Sequence, residues 1–107
     1  MRFFLPAILS LGLVGAAFAQ AMHVTIEDDV SHANAIACAG LRTAQVKAAP
    51  TALLAATQTA WMKSIKAAGH DPAMTDREVA DEAARLASAS PAALKSRAQH
   101  CEAFEIR

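Results

Sequence analysis

The sequence predicts an all-α domain, a small bundle of three to four helices stapled by one disulfide. Three observations carry that expectation. Proline and glycine divide the chain beyond its N-terminal leader into four segments, and three of the four bear helix start or stop residues. No alternation of apolar and polar residues runs long enough for a sizeable strand; His23 to Ile26 is the only candidate, and it is short. Two cysteines, Cys38 and Cys101, stand near opposite ends of the helical stretch.

The first residues set the compartment. "MRFFLPAILSLGLVGAAFAQA" carries one positive charge at Arg2, an apolar run from Phe3 to about Val14, and small residues ending in Ala17-Phe18-Ala19. These are the charged, apolar and A-x-A parts of a secretory signal. Pro6 and Gly12 interrupt the run, which falls short of the roughly 20 residues a spanning helix needs. Residues 1–19 are therefore expected to be a cleaved signal peptide and 20–107 a single small helical domain. No cysteine follows the cut, so nothing offers a lipid anchor, and the product is expected to be soluble and periplasmic or secreted.

The first helical segment is expected from about Asp28 to Ala49, with Glu27, Asp28 and Asp29 placed where negative charge favours a helix N-terminus. At 100° per residue Val30, Ala33, Asn34, Ala37, Leu41, Ala44 and Ala48 share one side, with Cys38 on its shoulder. Pro50 ends this segment, and "TALLAATQTAWMKSIKAAG" follows with Leu53, Leu54, Thr57, Trp61, Ile65 and Ala68 on one face and Gly69 as a stop. The loop "HDPAM" leads into "TDRE", where Thr75 and Glu78 match a capping box; Val79, Ala83 and Leu86 then face inward, with Asp81 and Arg85 outside. Ser90-Pro91 opens the last helix, whose Leu94, Ala98, Cys101 and Phe104 form one stripe.

In an oxidising compartment, one cysteine beside the stripe of the first helix and one on the stripe of the last read as a disulfide. A redox pair would be closely spaced as C-x-x-C, c-type haem needs C-x-x-C-H, and a nucleophile needs a free thiol with a base. The staple matters because the core is weak. Alanine is abundant, the aromatics beyond the leader are Trp61 and Phe104, and the chain holds no tyrosine.

Other groupings weigh less. His23, Asp28, Asp29 and His32, with Glu27 among them, could supply imidazole and carboxylate ligands to a divalent metal, against the plainer reading of an N-terminal arm and an acidic first turn. Cleavage after Gln20 would leave His23 third from a free amine, a copper- or nickel-chelating arrangement, but Gln20 is a poor residue at the cut. Trp61 belongs to the core. Met62, about 100° round from it, is a candidate partner contact together with Lys63 and Lys66, whose plainer reading is a solvated helix face. His70 and Asp71 read as part of a turn.

Ten basic residues balance ten acidic ones, and one of the basic ones lies in the leader. That balance gives no electrostatic case for nucleic acid or an anionic membrane. The sequence contains no Gly-rich phosphate loop, H-E-x-x-H, G-x-S-x-G or C-x-x-C, so neither an enzyme nor a cofactor is expected. The leading expectation is a protein-interaction module, an inhibitor, adaptor or immunity-type binder whose partner is another periplasmic or secreted protein. In compartment, size and a single helix-to-helix disulfide the chain resembles periplasmic acid-stress chaperones, in architecture alone; an acid-activated holdase is the second expectation. A small metal-binding protein is the third.

Overall fold

The computed structural model describes residues 23–107. The expected leader and its cleavage site lie outside the described residues. Within them the chain runs β1 (Thr25–Ile26), α1 (His32–Ala48), α2 (Ala52–Ala67), α3 (Pro72–Leu86), α4 (Pro91–Glu102) and β2 (Glu105–Ile106). The all-α expectation holds, with four helices, and the two short strands tie the ends of the domain together. They pair antiparallel, Thr25 opposite Ile106 and Ile26 opposite Glu105. The Glu27 N–H continues the ladder to the Phe104 carbonyl at 2.9 Å.

That pairing corrects the expected start of α1. After the extended backbone through Ile26 the chain turns at Asp28 and Asp29, so the helix begins only at His32. Ser31 caps it, its hydroxyl accepting from the Asn34 N–H at 3.2 Å. Glu27 still belongs to the extended arm, and Asp28 and Asp29 lie in the turn ahead of the helix. α2 starts where expected, with the Thr51 hydroxyl accepting from the Leu54 N–H, and ends at Gly69, whose φ of 90° suits glycine.

A second correction concerns α3. It begins at Pro72, capped by Asp71, whose carboxylate accepts from the Ala73 N–H at 3.0 Å. Asp-Pro here satisfies the rule that Ser90-Pro91 satisfies at α4: a side-chain acceptor at the cap and a residue with no N–H in the first turn. The Thr75–Glu78 capping box therefore does not form, and Thr75 lies fully buried inside the helix. Arg85 pairs with Glu82 rather than Asp81, and Arg97 of α4 reaches the other Glu82 oxygen at 3.3 Å.

α1 is the centre of the bundle, packed by α2, α3 and α4. Its buried residues are Ala35, Ile36, Cys38, Ala39, Gly40, Leu41 and Arg42, a far wider face than the expected stripe. A helix covered on several sides loses the one-sided pattern by which amphipathicity is read. Gly40 lets α3 come close: a Cβ there would sit 2.6 Å from the Glu82 side chain. Trp61 and Ile65 of α2, Val79 and Leu86 of α3 and Cys101 of α4 complete the core with Val24 and Ile26. α4 is held least by packing, with Cys101 as its buried residue.

Cys38 and Cys101 form the disulfide, with Cα atoms 5.6 Å apart. Closing a loop of 63 residues stabilises the domain by about 4 kcal/mol in the chain-entropy picture. A buried polar network secures the C-terminal strand in addition. The Arg42 guanidinium donates to both Glu105 carboxylate oxygens at 2.9 and 2.6 Å, and the Trp61 indole N–H donates to one of them at 2.7 Å. Side-chain exposure is 4% for Arg42 and 1% for Glu105. Gln45 accepts from the remaining arm of Arg42, and Phe104 meets Trp61 edge to face. Glu105 thus anchors β2, β2 holds β1, and β1 becomes a fixed wall.

Candidate functional site

The wall matters because a groove lies on its inner side. The groove has a volume of about 570 Å³ and is bounded by the β1 arm, the start of α1, the C-terminal half of α2 and the turn before α3. Val24, Ile26, Ala35 and Ile65 supply apolar, buried lining. Its polar lining residues are His23, Thr25, Asp28, His32, Lys63, Ser64 and His70. A half-open apolar cleft with a few convergent polar groups is the usual form of a binding site.

His32 and His70 are its most unusual feature. Their rings lie 3.9 Å apart, centroid to centroid, tilted by 37°. His32 Nε2 is 3.4 Å from a Glu78 carboxylate oxygen, and its Nδ1 is buried without a hydrogen-bond partner among the described residues. The two rings come from different ends of the bundle corner. His32 is the first residue of α1, and His70 immediately precedes the Asp71 cap of α3. Sequence reading placed His70 in a turn, which is right, yet no local pattern indicates that the turn folds onto the start of α1.

The four residues expected as metal ligands are not assembled into a site. His23 Nε2 lies 3.4 Å from the Thr25 hydroxyl, and His32 is engaged by Glu78 and His70. Asp28 borders both the groove and a shallow depression beside Ile106, and Asp29 lines only the depression. Among the described residues no three His, Cys, Asp or Glu side chains come together to hold a metal ion. The four residues lie on three different pieces of backbone, His23 ahead of β1, Asp28 and Asp29 in the following turn and His32 on α1, and that path does not bring them to a common point.

The expected contact residues also divide. Lys63 borders the groove. Met62 is half-buried against the core, and Lys66 reaches across to Asp76 of α3 at 4.0 Å. Sequence reading missed the Arg42–Glu105–Trp61 network altogether. One signal was present: an arginine amid the small apolar residues of α1 requires a buried acceptor.

Comparison of the chain with protein-family models, curated proteins and solved structures finds no match. The chain is thus defined by its architecture: a small four-helix domain stapled by the Cys38–Cys101 disulfide, with its N-terminal arm clasped by its C-terminal strand.

Proposed function

We propose that residues 20–107 form a non-enzymatic binding module for another exported protein, seated in the groove between the β1 arm and α2. The disulfide suggests an oxidising compartment, in keeping with periplasmic or secreted residence. Among the described residues no helix is long and apolar enough to cross a membrane.

The observation that carries the reading is the groove itself. Its apolar lining is contributed by β1, α1 and α2 together, and its far wall is held by a buried ion pair and a strand pairing rather than by a loose loop. A pre-formed concavity spends little ordering entropy on binding. Its open form admits a side chain or short segment of a partner more readily than it encloses a small molecule.

Ser64→Trp, which fills the groove from α2, tests the proposal. Wild-type protein incubated with the exported fraction at neutral pH should retain one partner that the variant does not. With that partner purified, calorimetry should show at least about tenfold weaker binding by the variant, a loss of roughly 1.4 kcal/mol. Both proteins should have the same thermal melt. Retention of the same proteins by both forms would refute the groove as the site, and capture of many clients only in acid would favour the holdase instead.

A further inference from the structure

We propose that the partner segment seated in the groove is basic: an apolar side chain enters the cleft, and the lysines or arginines beside it lie across the β1 arm on Glu27, Asp28 and Asp29. This rests on the binding-module reading and adds the chemistry of the partner. The groove supplies the apolar seat, with Val24, Ile26, Ala35 and Ile65 as buried lining. The charges along its rim select what can flank that side chain.

The groove continues over the arm. Thr25, Ile26 and Asp28 border both it and the shallow depression beside Ile106, where Glu27 and Asp29 join them. Glu27, Asp28 and Asp29 are all exposed, and among the described residues none of them has a cation within ion-pair distance. Ile106, 51% exposed, adds apolar surface to the same depression. Glu78, beside His32, is a fourth carboxylate near the groove, whereas Lys63 supplies an ammonium to its lining and Lys66 is engaged by Asp76. A strip of negative potential thus runs on from the apolar seat.

Local structure does not account for this acidic run. Acidic residues ahead of a helix ordinarily serve its N-terminus, but Ser31 caps α1 and the first turn of α1 holds no acidic residue. The carboxylates do not converge on one point either, since among the described residues no three His, Cys, Asp or Glu side chains come together to hold a metal ion. Carboxylates spread along a surface suit ammonium or guanidinium groups spaced along a peptide. Lys63 fixes the orientation of that peptide: its basic residues lie on the arm side of the groove and not on the α2 side, where the ammonium repels them.

Calorimetry of the exported protein with a capped Ile-Leu-Arg-Arg-Arg peptide tests this, at about pH 8, where histidine is ordinarily uncharged. Saturable binding is expected, weakened at least about fivefold in Asp28→Asn/Asp29→Asn with an unchanged melt, and lost in Ser64→Trp. Asp81→Asn/Glu102→Gln, which removes two exposed carboxylates from α3 and α4, should bind within about twofold of wild type. No saturable binding, equal weakening by the two double variants, undiminished binding by Ser64→Trp, or equally tight binding of Ile-Leu-Glu-Glu-Glu would each overturn the proposal. Spermine bound as tightly as the peptide would also overturn it, replacing the partner segment by a small polyamine. If Asp28→Asn/Asp29→Asn keeps full affinity for the partner protein that Ser64→Trp loses, the binding module stands and the basic segment is rejected.

Discussion

Glu105→Ala should be the most damaging single change in the domain. The Glu105 side chain is 1% exposed and accepts three hydrogen bonds, two from Arg42 and one from Trp61. Truncation leaves a guanidinium that is 4% exposed with Gln45 as its remaining side-chain partner. Removing one member of a buried pair typically costs about 3–5 kcal/mol, because the other charge stays buried and uncompensated. For a domain of this size that corresponds to a fall of roughly 12–40 °C in the unfolding midpoint. Urea denaturation followed by circular dichroism measures the loss. Arg42→Met/Glu105→Met, which removes both charges, should recover most of it, since an apolar pair needs no partner. A loss below about 1 kcal/mol in Glu105→Ala, or a double variant no more stable than the single one, would refute the reasoning.

Cys38→Ser/Cys101→Ser should keep most helical circular dichroism yet lose about 4 kcal/mol; two free thiols in the exported protein, or an unchanged melt, would contradict this. Gly40→Ala should destabilise by about 1–3 kcal/mol despite alanine's better helix propensity, because the new methyl meets Glu82; a stabilised variant would show that α3 yields freely. Thr75→Val should be neutral or stabilising by up to about 1 kcal/mol in the same urea assay, since the buried Thr75 hydroxyl has no hydrogen-bond partner among the described residues. Mass spectrometry of the exported protein should find Gln20, free or cyclised, at the N-terminus; an intact Met1 on a membrane-bound product would overturn the cleaved leader.

What could be read along the chain was whatever depends on near neighbours. Thr51 and Ser90 cap helices because their hydroxyls meet N–H groups three residues on, and Gly69 ends α2 because it alone of its neighbours tolerates a positive φ. The cysteine pairing was legible for a different reason: only one pairing is available to two cysteines. The start of α3 was misjudged although its signal was local, because Asp71-Pro72 and Thr75-Glu78 both match a helix start and the earlier one extends the helix by a turn.

Tertiary structure alone decided which residues share a site. The stripe of α1 misled because this helix is covered by three others, so small residues around most of its circumference satisfy the packing. Arg42 and Glu105, like His32 and His70, join segments far apart in sequence. Their meeting follows from how the helices cross and how β1 pairs with β2, and periodicity within one helix carries no information about that. The groove exists for the same reason: its walls come from four elements, and only their packing, held by the disulfide and the buried Arg42–Glu105 pair, places one opposite another.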